Sequence, residues 1–184
     1  SGIEIRKTKG IFMLQKLHHV AYRCTDAQET IDYYTKNLGL KLVHAISNDR
    51  VPSTQEWGPH LHIFFEMEDG SYIAFFEVPT SPPAMKDPNT PDWVQHLALE
   101  VADEETLLAA KARLEENGVD VLGITDHGFC QSIYFFDPSG HRLELSIRRD
   151  SEEAKADYAA RAGSIVDTWA ERKRSGELQA APAV

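Results

Sequence analysis

Only two of the 184 residues are cysteines, Cys24 and Cys130, so no disulfide framework holds this chain together. A reduced thiol pair fits a cytoplasmic protein, which is the expected location. No apolar run approaches the ~18 residues that a membrane span requires. Positive charge is scarce as well: 19 Lys and Arg stand against 29 Asp and Glu, a formal net charge of -10. Nucleic acids and anionic membranes recruit basic surfaces, so neither is an expected partner. The basic start (Arg6, Lys7, Lys9) leads into Ile11 to Leu14, too short for a signal-peptide core. Ser1-Gly2 reads as a scar of tag removal and Met13 as a natural start, which sets residues 1–14 apart as an extension outside the fold.

What the chain does have is a repeat. His19-Val20-Ala21-Tyr22-Arg23-Cys24-Thr25-Asp26 lies over His96-Leu97-Ala98-Leu99-Glu100-Val101-Ala102-Asp103. Each copy opens as an alternating, strand-like run headed by a His and closed by an Asp, and that Asp, or Thr25 in the first copy, suits a helix cap. A helix follows over 27–38 with Ile31, Tyr34 and Leu38 on one side, and over 104–117 with Leu107, Ala110 and Leu114. Both end at a glycine, Gly39 and Gly118, where a left-handed residue is cheapest. Three strands are then expected in each copy, over 41–47, 60–67 and 71–78, and over 119–125, 131–136 and 141–148. Asp69-Gly70 and Pro138-Ser139-Gly140 supply the last turns.

The expected fold class is therefore α+β: two tandem βαβββ modules, 15–79 and 94–148, joined by a Pro-rich connector, 80–93. Neither module closes its own sheet, so the pair should form a curved mixed sheet around one concave face. A further helix is expected over 149–174, with Asp150 and Glu153 as a capping box and Tyr158, Ala162, Ile165, Val166 and Trp169 as an apolar stripe. It should dock on the domain or on a partner subunit. Residues 175–184 are rich in Ala, Pro and Gly and read as a disordered tail.

Strand alternation sorts the side chains by face. If Leu143, Leu145 and Ile147 point to the helices, Arg142, Glu144 and Ser146 point away from them. By the same rule His96 and His19 leave the core side of their strands. Two imidazoles and one carboxylate thus project from equivalent strand positions, a set suited to a divalent metal, Fe(II) first and Mn(II) second. A lone strand His is usually a half-buried polar residue; what lifts these two is their matched place in the repeat.

Leu17-His18-His19-Val20-Ala21, Gln95-His96-Leu97-Ala98-Leu99-Glu100-Val101 and Asp137-Pro138-Ser139-Gly140-His141-Arg142-Leu143-Glu144-Leu145 resemble the vicinal oxygen chelate family over about residues 15–148. That family includes glyoxalase I, fosfomycin-resistance transferases, bleomycin-binding proteins and extradiol ring-cleaving dioxygenases. The resemblance implies that His19, rather than His18, is the first ligand. Glyoxalase-type members take a fourth ligand from the first module's last strand. Counting from Gly70 and Gly140, Ala74 occupies that place, and Glu77 falls on the opposite face.

The resemblance also implies catalytic roles. Tyr134 matches the extradiol tyrosine that contacts a bound substrate oxygen, and His127 matches a substrate-binding His. His60 and His62 share the face from which those enzymes take an acid–base His; His62, deeper in the strand, is favoured. Trp57 and Phe129 suit an aromatic wall, and Ser47 to Trp57 an added loop beside the site. His44 and His141 are expected on the surface. The implied function is an Fe(II)-dependent extradiol-type oxygenase acting on a catechol or similar chelating aromatic, with that small molecule and O2 as partners and a homodimer as the assembly to test. One alternative is an isomerase, epimerase, lyase or thiol transferase using Zn, Ni or Co. Another is a non-catalytic binding protein, against which the three intact ligands argue.

Overall fold

The structure is a computed structural model and describes residues 14–84 and 86–179. Apart from Leu14, the expected N-terminal extension lies outside the described residues. The first module runs β1 (His19–Arg23), α1 (Ala27–Leu38), β2 (Lys41–Arg50), β3 (Trp57–Glu66) and β4 (Tyr72–Glu77). The second runs β5 (Leu97–Glu100), α2 (Glu104–Glu116), β6 (Leu122–Asp126), β7 (Cys130–Phe136) and β8 (Arg142–Arg148). The repeat is thus realised as two βαβββ units.

Both helices begin where an aspartate accepts the first free backbone N–H groups. Asp26 Oδ1 accepts from Glu29 N at 2.7 Å, and Asp103 Oδ1 from Thr106 N at 2.8 Å. Such a cap contributes about 1 kcal/mol. α1 stops at Gly39, whose φ of 67° lets its N–H turn back to the carbonyls of Tyr34 and Thr35.

Each module carries its own four-stranded mixed sheet, in the orders β1-β4-β3-β2 and β5-β8-β7-β6. β1 runs parallel to β4 and β5 parallel to β8, with the other neighbours antiparallel. The helix-bearing faces of both sheets contribute to one core that includes Tyr34, Phe65, Phe75, Leu107, Leu114 and Phe135. Polar ties hold the modules together at the same seam. Tyr34 OH donates to Asp137 Oδ2 at 3.0 Å, and Asp137 Oδ1 accepts from the backbone of Ser139 and His141. His141 Nε2 donates to the Arg23 carbonyl at 2.6 Å while its ring stacks on Tyr22. The surface position expected for His141 is thereby corrected: it is a half-buried contact between modules. Tyr34→Phe should lower stability by about 1.5–3 kcal/mol, because a buried carboxylate loses a donor. A urea unfolding midpoint unchanged from wild type would contradict that reading of the seam.

Four further expectations change. The segment taken for an added loop is mostly strand: β2 and β3 continue to Arg50 and back from Trp57, leaving a short turn at 51–56. α3 (Glu152–Ser175) is capped by Ser151, not Asp150, whose carboxylate is drawn instead to Arg148 at 3.0 Å. None of its residues is buried, and Ile165, Val166 and Trp169 are exposed, so it does not dock on the domain. The tail expected to be disordered begins with a short 3-10 turn, Glu177–Gln179, and residues 180–184 lie outside the described residues.

Candidate metal centre

The faces turned away from the shared core carry the polar chemistry. Along β8, Leu143, Leu145 and Ile147 enter the core, so Glu144 and Ser146 emerge on the other side, as alternation requires. Register then places Glu144 beside Ala98 of β5 on one side and Tyr134 of β7 on the other. His96, just before β5, reaches over the same surface: its Nε2 lies 3.0 Å from Glu144 Oε2. These groups line a cavity of about 470 Å³ together with His127, Phe129 and Arg148.

His96 Nδ1 is 3.1 Å from the Val94 carbonyl, which can only accept, so this nitrogen carries the proton. In the neutral ring Nε2 is then a lone pair facing a carboxylate. Two acceptors this close need a positive charge between them, either a second proton or a metal ion. The donor chemistry fits a metal, and the Val94 bond fixes the ring as outer partners of metal-bound imidazoles do.

Glu144 is almost fully buried. Burial pushes its carboxyl up, but the hydroxyls of Ser132, Ser146 and Tyr134 and the His96 charge outweigh that, leaving it below its ordinary value. Ser146 Oγ donates to Glu144 Oε1 at 2.7 Å, and Ser132 Oγ lies 2.8 Å behind Ser146. Sequence reading passed over Ser132 as a site residue, although it stands two residues from Tyr134 and alternation puts both on one face. Tyr134 OH meets His127 Nε2 at 2.7 Å, and the Arg142 guanidinium covers its ring. Burial, then the Glu144 charge, hold the phenol above its usual pKa, so it is a protonated donor at neutral pH.

The first module presents a matching face with different contents. His19 Nδ1 touches His18 Nδ1 at 2.8 Å, and its ring lies 6.4 Å from that of His62. The two possible acid–base histidines differ in their bonding. His60 Nδ1 donates to the Gly58 carbonyl at 2.7 Å, whereas the buried Nε2 of His62 has no partner. Burial, followed by the charges of His19, His60 and His44, pushes His62 down to about 4, so it is neutral at pH 7. Ala74 pairs with Ala21 as Glu144 pairs with Ala98, so it does stand at the carboxylate's equivalent position. Glu77 turns to the helix side and its Oε2 accepts from Ala27 N at 2.7 Å. Glu77→Gln should therefore leave metal content unchanged; a loss like that of Glu144→Ala would mean Glu77 swings inward. Trp57 is exposed with Arg50 over its ring, and His44 is exposed near Phe64.

The structure thus brings His96, Glu144, Tyr134 and His127 into one cavity and His19, His60 and His62 onto the other module. Among the described residues no three His, Cys, Asp or Glu side chains form a metal-holding group. A single chain supplies two of the three expected ligands in one place. No helix of the described residues is long and apolar enough to cross a membrane.

A sequence profile described as "Glyoxalase/Bleomycin resistance protein/Dioxygenase superfamily" matches residues 16–145. The chain is 33% identical over 142 residues to the "Putative ring-cleaving dioxygenase MhqA" of Bacillus subtilis (strain 168), covering 76% of this chain but only 41% of that protein's length. It is 27% identical to a 2-epi-5-epi-valiolone epimerase of Actinomyces sp, over 74% of this chain and 81% of the relative. Among solved structures, the fosfomycin resistance protein FosX of Listeria monocytogenes, in complex with Mn(II) and sulfate, superposes with a TM-score of 0.54 at 18% identity. The likeness covers 78% of this chain and 99% of FosX, and it shows the shared fold.

Proposed function

This chain belongs to the Glyoxalase/Bleomycin resistance protein/Dioxygenase superfamily, and we propose that within it the protein is a cytoplasmic, metal-dependent ring-cleaving dioxygenase acting on a catechol or similar chelating aromatic. The observation that carries this reading is the His96–Glu144 pair, 3.0 Å apart, in one cavity with the hydrogen-bonded His127–Tyr134 pair. The relative named as a ring-cleaving dioxygenase supports it.

Two imidazoles and a carboxylate suit Fe(II), with Mn(II) as the second choice. When bound, the metal would hold the reactants and stabilise developing charge. His96 and Glu144 would be its ligands in this cavity and His19 the third. One chain by itself leaves that set incomplete. The chain's own groups have defined tasks. At about 470 Å³ the cavity has room for a single-ring aromatic. Tyr134, kept protonated, donates to a substrate oxygen, and His127 fixes the direction of that hydroxyl. Arg142 over the Tyr134 ring restrains it. His62, neutral with an unpartnered Nε2, would accept a substrate proton wherever the face it shares with His19 lines the site.

The experiment is metal analysis of protein purified without oxygen, followed by oxygen-electrode screening of a catechol panel. Oxygen uptake dependent on Fe(II) is expected. The epimerase relative gives the second reading, a metal-dependent isomerase or lyase using Zn, Ni or Co. It predicts turnover without oxygen uptake on any chelating aromatic.

A further inference from the structure

We propose that α3 pairs with α3 of a second copy of this chain, the two helices antiparallel along the stripe Tyr158, Ala162, Ile165 and Trp169. The pairing is independent of the metal-dependent reading above. α3 runs 24 residues from its Ser151 cap to Gly176, and none of its residues is buried. A helix draws most of its stability from packing an apolar face rather than from propensity. Here that face is open: Tyr158 is 41%, Ile165 59%, Val166 65% and Trp169 51% exposed.

The spacing identifies the partner. Tyr158, Ala162, Ile165 and Trp169 follow one another at steps of four, three and four residues. That is the narrow seam of a two-helix coiled coil rather than the wider face that packs on a globular core. The seam is its own complement when one copy is reversed. Tyr158 then meets Trp169 of the second copy and Ala162 meets Ile165, each contact being made twice about a two-fold axis. The small Ala162 leaves room for Ile165, and Val166, beside the seam, falls against Ala159 in the same register. Ile165, Thr168, Trp169 and Arg172 border a hollow of about 230 Å³, and the Tyr158 ring of the second copy fills it.

Charge sets the direction. The first turns carry Glu152, Glu153 and Asp157 against Lys155, and the last turn carries Arg172, Lys173 and Arg174. Antiparallel helices set the acidic end beside the basic one, and Glu152 comes opposite Lys173 of the second copy. A parallel pair would put like ends together. The seam stops at Lys155 against Arg172, where each cation is held by a glutamate of its own chain, Glu152 at 2.6 Å and Glu177 at 2.7 Å. Exposed charges of this kind add little affinity; they select the orientation while the apolar layers hold the pair.

The test uses two full-length chains under different tags, one Glu152→Cys and the other Lys173→Cys, mixed under mild oxidation. Cys24 and Cys130 are buried, so the introduced thiols are the accessible ones. The expected result is a disulfide joining the two tagged chains. Neither chain alone should cross-link, because antiparallel copies hold like positions roughly 30 Å apart. Adding Trp169→Ala to both chains should slow the mixed cross-link about tenfold. Glu152, Trp169 and Lys173 are all exposed, so these substitutions spare the core. A mixture that forms no cross-link, or one whose cross-linking Trp169→Ala leaves unchanged, would overturn the proposal. Cross-linking of either chain by itself would also overturn it, in favour of a parallel pair.

Discussion

His96→Ala, Glu144→Ala and His19→Ala should each reduce tightly bound metal from stoichiometric to background levels. A three-ligand site has no spare donor, and each substitution removes one of only three. The local surroundings separate this effect from general damage. His19 and His96 are exposed, so the helices and core should be intact by circular dichroism. Ser146→Ala gives a graded control, since it removes only the hydroxyl that donates to Glu144 Oε1 at 2.7 Å. Outer partners of this kind are worth roughly 10–100-fold in metal affinity. Elemental analysis after anaerobic loading reads all four variants. Stoichiometric metal in the three alanine variants would dismiss these residues as ligands.

Tyr134→Phe and His62→Ala should do the opposite: keep full metal occupancy and lose turnover by about 10²–10⁴-fold, the usual contribution of a positioned acid or base. Tyr134→Phe preserves the ring under Arg142 and removes only the hydroxyl that His127 holds at 2.7 Å. His62→Ala deletes a ring whose Nε2 is buried with no partner, a state whose cost in folding energy a catalytic use would explain. His60→Ala should have a smaller effect, because His60 spends its Nδ1 proton on the Gly58 carbonyl. Oxygen-uptake rates at matched metal content check these outcomes. Loss of metal along with activity in Tyr134→Phe would move this residue from substrate orientation to support of the ligands.

Much of this arrangement is written in local patterns. The Asp26 and Asp103 caps, the glycine stop at Gly39 and the period-two alternation through Leu143 to Ile147 each act within a few residues. They therefore placed both modules and the face on which Glu144 and Tyr134 meet. Ser146 was placed beside Glu144 by that alternation, whereas Ser132, legible by the same rule, lacked a motif to draw notice. The parts that were not legible depend on partners distant in sequence. His141 looks like a turn residue until Arg23 and Tyr22 of the other module pack against it. The cap of α3 shifted to Ser151 because Arg148 claims the Asp150 carboxylate. Alternation assigns His19 and His96 to a face, but it says nothing about which sheet edges adjoin. That is why His19 and the His96–Glu144 pair, which occupy like positions in the repeat, lie on two different surfaces of one chain.

The fate of isotopically labelled oxygen tests the proposed ring-cleaving reaction most directly. Fe(II)-loaded protein is supplied with a catechol that supports oxygen uptake, under ¹⁸O2, and the ring-opened product is weighed by mass spectrometry. A yellow product carrying both labelled atoms is expected, with one O2 consumed per substrate molecule. Conversion of a substrate with no labelled oxygen in the product, or with no oxygen consumed, would contradict it.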